Sequence, residues 1–153
     1  MRIAYIIPSL YRMAPNRVVQ QLVEGMMARG HECHVFYFDP VTTDAIAFPC
    51  RATRISLLRA TDLTGYDVVH THGLRPNLYV WIHGVPRGVR AVATIHSYVF
   101  EEFRFIYGRV LGWIFGHLFV RTLSRHDRVV TLSRDAVDHY AHWIRPSRLT
   151  YCY

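Results

Sequence analysis

Short apolar runs that turn polar within one residue recur along this sequence. The sharpest is Asp67-Val68-Val69-His70-Thr71-His72-Gly73. Adjacent Val68 and Val69 suit a strand covered on both faces, as in a parallel sheet. The switch to imidazoles and a hydroxyl puts chemistry at the strand's end. In open parallel sheets, ligands bind in the crevice outside the carboxyl ends of the strands. A chain built of such units, each followed by a helix, is confined to the α/β class with right-handed crossovers.

The units follow in order. Arg2–Ile7 is predicted as the first strand and Pro8–Pro15 as a loop. A helix is expected from about Asn16, whose side chain is read as its cap. Val19, Leu22, Val23 and Met26 recur at helical spacing, and Arg29-Gly30 reads as a stop. His31–Phe38 and Ala52–Leu57 are the second and third strands, separated by a proline-containing loop, Asp39–Arg51. Arg59–Tyr66 reads as a turn or short helix. Leu74–His83 is a short helix with Pro76 in its first turn, and Val89–Ile95 is the fifth strand. Tyr98–Leu123 is expected to be one long helix. Phe100, Phe103, Tyr107, Val110, Ile114 and Leu118 would share a broad face, and Gly108, Gly112 and Gly116 would bend it. Arg128–Leu132 is the sixth strand. Ser133 caps a helix with Asp135 in its first turn, and Arg145-Pro146 ends it. Leu149–Tyr153 starts another strand, so the chain is expected to be part of something longer. The fold class is a doubly wound, Rossmann-like parallel sheet in three layers, α/β/α, with strand order 3-2-1-4-5-6.

Composition narrows the function classes. With 51% hydrophobic and 19% charged residues among 153, disorder is excluded and one domain is expected. The net charge of +7 arises without a single lysine. Arginine forks onto phosphate and carboxylate, so an anionic partner fits, and a solvated basic surface fits equally well. Cys33, Cys50 and Cys152 are odd in number and lack metal-like spacing, which favours a reducing, cytoplasmic setting. No secretory signal is visible, and no run reaches the roughly 20 apolar residues of a membrane span.

Three places can hold chemistry. The loop at Ser9 and Arg12 leads, with Asn16 and Arg17, into a helix N-terminus suited to anions. It lacks the glycines of a dinucleotide fingerprint, which argues against NAD. His70 and His72 lie two apart and share a face. A metal would need His96 as third ligand, and no cysteine or carboxylate completes the set, so no metal is expected. Thr94-Ile95-His96-Ser97 ends its strand in the same style. A histidine there can act as a base, or bind a sugar hydroxyl or phosphate. Glu101 and Glu102 sit where a helix dipole favours them. Arg104, Arg109, Arg121 and Arg125, interleaved with aromatics, suit an anionic membrane surface, although a core helix is the commoner use of such a stripe. No nucleic-acid motif is present.

Together, Arg2–Gly30 with its Gly-His-Glu-Cys-His-Val continuation, Asp67–Gly73, Val92–Ser97 and Asp127–Ser133 resemble, in order, blocks of the N-terminal domain of family 4 glycosyltransferases of the GT-B fold. The resemblance implies sugar transfer from a nucleotide-sugar with retention and no required metal or other cofactor. It implies a glycan or lipid-linked acceptor held by this domain, and a donor site on a C-terminal half absent from this chain. His96 matches the family's histidine near the reacting sugar. Ser9, Arg12, Asn16, His70, His72, Ser97 and Ser133 are the accompanying substrate-binding candidates. The loop departs from the family pattern: Met13 and Ala14 stand where a Gly-Gly pair is usual, and Asn16 where an acidic residue is common. A cytoplasmic protein, peripheral at the inner face of the membrane, is expected. The alternative is a non-catalytic Rossmann-like module that binds a partner protein or an anionic ligand.

Overall fold

The computed structural model describes residues 1–41 and 43–152. Thr42 of the expected loop and Tyr153 of the expected last strand lie outside them. Seven strands form one sheet: β1 (Arg2–Ile7), β2 (Glu32–Tyr37), β3 (Arg51–Arg54), β4 (Val68–His72), β5 (Arg90–Thr94), β6 (Arg128–Thr131) and β7 (Leu149–Tyr151). Their order is β3-β2-β1-β4-β5-β6-β7, every pair parallel, which is the expected order with β7 added at the edge. Helices α1 (Ala14–Ala28), α2 (Leu74–His83), α3 (Val99–Thr122) and α4 (Arg134–Tyr140) cross between strands.

Strand alternation assigns the two faces. Ile3, Tyr5 and Ile7 of β1 pack with Val19 and Val23 of α1, while Ala4 and Ile6 turn the other way, onto Tyr79 and Val80 of α2. On β4, Val69 packs on the α2 side. His70 and His72 therefore face the α1 side. Tyr5 is the register partner of His70, and their rings lie 5.5 Å apart. Opposite, Thr71 donates to Asn77 Oδ1 of α2 at 2.6 Å and lies 2.9 Å from Nε2 of His126. This buried set ties α2, β4 and the lead into β6 together. A third cluster joins Ala93, Val129 and Leu149 to Phe119, Leu123 and Tyr140.

Two expectations are corrected. Helix α1 starts at Ala14, with Pro15 in its first turn, so Asn16 is not its cap. Asn16 is 1% exposed, and its amide donates to the carbonyls of Ser9 at 2.9 Å and Tyr11 at 2.7 Å. It ties down the first loop from inside the helix. Nor does α3 present one broad apolar face. In a straight helix Phe100 and Gly116 would lie about 24 Å apart. Here a Cβ on Gly116 would run into the Phe100 ring, and one on Gly112 would sit 2.5 Å from the Arg104 backbone. The segment folds back at Gly108, whose φ of 78° and ψ of 179° are non-helical. It is a helical hairpin with arms 99–107 and 109–122. Phe103, Tyr107 and Phe115 pack across it, while Val110, Ile114 and Leu118 face outward and are exposed. Small residues at four-residue spacing let the arms approach this closely, as in other tightly packed helix pairs.

Candidate functional site

The first loop, the carboxyl ends of β4 and β5 and the inner side of the hairpin enclose a cleft of about 400 Å³. Each wall has a local cause. Gly73, at φ 95°, turns the chain sharply from β4 into α2, so His72 ends its strand at the cleft. Tyr140, the buried last residue of α4, accepts from the backbone N–H of Val99 and donates to the carbonyl of Ser97 at 2.7 Å. That pair fixes the exit from β5 and hence His96. Phe103, Tyr107, Phe115 and Phe119 supply an apolar wall.

The polar wall is a row of histidines. His70 Nε2 lies 2.8 Å from the Thr94 hydroxyl, and His72 Nδ1 lies 2.9 Å from His96 Nε2. The His70 and His72 ring centroids lie 4.4 Å apart, the planes tilted by 36°. Burial pushes His70 down to about 3, with His96 and His126 adding to the effect. Burial also holds His72 well below the ordinary imidazole range, reinforced by His70 and His96. His96 is lowered by burial too, with Glu102 acting against it. The row is therefore neutral at pH 7, and the His72–His96 bond joins an N–H of one imidazole to a lone pair on the other. Ser97 donates its hydroxyl to Glu102 at the cleft's rim.

Two buried polar atoms on cleft-lining residues are unpartnered: Oδ1 of Asn16 and Nε2 of His72, the latter on a side chain 2% exposed. A buried polar group without a partner costs about 1–3 kcal/mol. A larger hollow, of about 850 Å³, lies beside β3, but among the described residues no unpartnered buried side-chain N or O atom belongs to its lining. Among the described residues no group of three or more His, Cys, Asp or Glu is placed to hold a metal ion.

The structure thus gathers Asn16, His72, His96 and Ser97 around one cleft, with His70 directly behind His72. Three other candidates lie outside the lining. Arg12 pairs with Asp44 at 3.2 Å, Ser9 Oγ accepts from the Tyr11 N–H, and Ser133 caps α4 by accepting from Ala136 at 3.1 Å. Thr94, Glu102 and the aromatic wall are lining residues that sequence reasoning did not single out as binding groups. For the wall, the available signal was the glycine spacing that folds the hairpin.

Comparison with known proteins decides the family. The family model described as Glycosyltransferase Family 4 matches residues 15–153. The chain belongs to this family. It is 33% identical to the O-antigen biosynthesis glycosyltransferase WclY of Escherichia coli over 96% of its own length and 42% of that protein's. This family 4 chain thus spans less than half the length of the curated relative. Among solved structures, sucrose-phosphate synthase from Thermosynechococcus elongatus superposes with a TM-score of 0.74 at 16% identity, covering 99% of this chain and 47% of that one. An alpha-glucosyltransferase in complex with UDP and a 13-mer DNA superposes at 0.64 and 14% identity, over 99% and 40%. At these identities the likeness is one of fold, that of a Rossmann-like α/β domain with a parallel sheet.

Neutral buried histidines make stability pH-dependent. In the unfolded chain imidazoles titrate near 6.5. His70 and His126 stay neutral to about 3 and about 4, the latter through burial and the nearby Arg148. Below pH 6.5 the unfolded chain takes up protons the folded chain refuses, so this stability is present above 6.5 and lost as pH falls. At pH 5 each of the two accounts for about 2 kcal/mol. The melting temperature is expected to drop by about 10 °C between pH 7.5 and 5, and His126→Gln should flatten that slope. A melting temperature indifferent to pH over this range would show that these rings are not held neutral.

Proposed function

We propose that this chain is the acceptor-side domain of a retaining glycosyltransferase. It transfers a sugar from a nucleotide-sugar to a glycan or lipid-linked acceptor, and a second Rossmann half supplies the nucleotide site. The observation that carries this is the cleft at the sheet's carboxyl edge. There His96 is held by His72 and backed by His70, and Asn16 and His72 offer buried, unpartnered polar atoms. Family membership and the O-antigen glycosyltransferase relative support sugar transfer, and the relative's greater length supports a further half.

The roles follow from the chemistry. His96 Nε2 is occupied by His72, which leaves Nδ1 for a hydroxyl of the transferring sugar. Being neutral, the ring orients the sugar by hydrogen bonding and adds no charge to the ground state. Asn16 Oδ1 accepts from a hydroxyl of the acceptor or donor. The aromatic wall covers an apolar sugar face and excludes water. No metal or other cofactor is assigned to the cleft, and an odd number of cysteines without metal-like spacing supports a cytoplasmic setting. No helix among the described residues is long and apolar enough to cross a membrane.

Calorimetry tests the division of labour. UDP- and GDP-sugars are expected to bind the 153-residue chain weakly or not at all. Micromolar binding, about −8 kcal/mol, would place the donor site here and overturn it.

A further inference from the structure

The outside of the α3 hairpin has no use in the cleft. Its inner side lines the site, yet Phe105 is 92% exposed, Val110 73% and Trp113 62%. Ile106, Leu111 and Ile114 are exposed beside them. An apolar surface of this extent is not left in water without a function. It is concentrated around the reversal at Gly108, the tip of the hairpin.

Charge distinguishes among possible occupants. From Phe103 to His126 the chain carries Arg104, Arg109, Arg121 and Arg125 and no Asp or Glu. None of these arginines forms a salt bridge among the described residues. Arg104 and Arg109 share a hollow of about 520 Å³ with Phe100, Val110 and Trp113, and Glu101 is the one carboxylate on its lining among the described residues. Guanidinium pairs beside an indole and aliphatic side chains match a phosphate headgroup with acyl chain below it. Tryptophan and arginine are the residues that settle at the headgroup level, the arginine stem lying along apolar surface with its head in the polar layer.

We propose that the tip of this hairpin docks the domain onto an anionic lipid bilayer. Phe105, Val110 and Trp113 enter the boundary between headgroups and acyl chains, and Arg104 and Arg109 take lipid phosphates. Because Phe103, Tyr107 and Phe115 of the same hairpin line the cleft, docking brings the cleft's apolar wall to the membrane. Only this consequence, access for a lipid-linked acceptor, rests on the function proposed above. The docking itself is measured without any activity.

The experiment is co-sedimentation of the chain with vesicles of phosphatidylcholine alone or mixed with phosphatidylglycerol. The chain is expected to pellet with the mixed vesicles at low salt and to be released as salt rises. Arg104→Gln and Arg109→Gln should each weaken binding about fivefold, the worth of one basic residue at an anionic surface. Phe105→Ser with Trp113→Ser should abolish it with an unchanged melting temperature, since both side chains are exposed. Brominated lipids should quench part of the fluorescence of the wild type, and Trp113→Phe should lose that part. Absence from the pellet at low salt overturns the proposal, as does binding that the hairpin variants leave untouched. A dimer seen by light scattering, lost in Trp113→Ser and without vesicle binding, overturns it in favour of a contact between copies of the chain.

Discussion

His96→Ala is expected to lower turnover about a hundredfold in the enzyme that holds both halves. Losing one well-aimed hydrogen bond to a transition state costs about 3 kcal/mol. kcat and kcat/KM should fall together, because the bond to the sugar hydroxyl strengthens as charge develops at the anomeric carbon. Stability should barely change. His96 is only partly buried, and its loss removes one bond to His72, worth about 1 kcal/mol or about 3 °C. A variant that stays active while melting much earlier would make His96 a structural histidine and remove it from the chemistry.

Gly112→Ala should act in the opposite sense to its helix propensity. In a solvent-exposed straight helix the exchange would stabilise by about 1 kcal/mol. In the hairpin the new methyl would sit 2.5 Å from both Cα and N of Arg104 and 2.7 Å from the Phe103 carbonyl carbon. All three are backbone atoms, so an arm must move. Overpacking of this kind costs about 1–3 kcal/mol, and a loss of about 2 is expected, near 6 °C in melting temperature. Gly25→Ala in α1 is the control, because its methyl would meet only the mobile end of Arg29 at 3.3 Å. That variant should be neutral or slightly stabilised. If Gly112→Ala raised the melting temperature as Gly25→Ala can, α3 would be a straight helix and the aromatic wall of the cleft would vanish with the hairpin.

The contrast between these positions shows what sequence alone can carry. Strand order and the sidedness of His70 and His72 were legible, because apolar runs with polar ends mark buried parallel strands and alternation is a local property. The meeting of His72 with His96 follows from β4 and β5 being neighbours in register. The fate of glycines in α3 was not legible. Gly108, Gly112 and Gly116 signalled weakness, but whether a helix bends or folds back depends on what its glycines pack against. Asn16 misled for a related reason. A polar residue near a helix start reads as a cap, and only the folded loop shows its amide holding the carbonyls of Ser9 and Tyr11. Ser133 was read as a cap from the same kind of evidence, and it is one. The buried set of Thr71, Asn77 and His126 joins residues up to 55 apart in sequence, beyond the reach of any local pattern.

The most direct test of the central claim is the anomeric configuration and rate of the product formed when this chain acts with a donor half on a panel of UDP- and GDP-sugars and a membrane-extracted acceptor. Product configuration is read by proton NMR. The account predicts a new glycosidic linkage with the donor's own anomeric configuration, formed only when this chain is present and suppressed about a hundredfold by His96→Ala. Inversion at the anomeric carbon, or transfer that proceeds undiminished without an intact His72–His96 cleft, would contradict it.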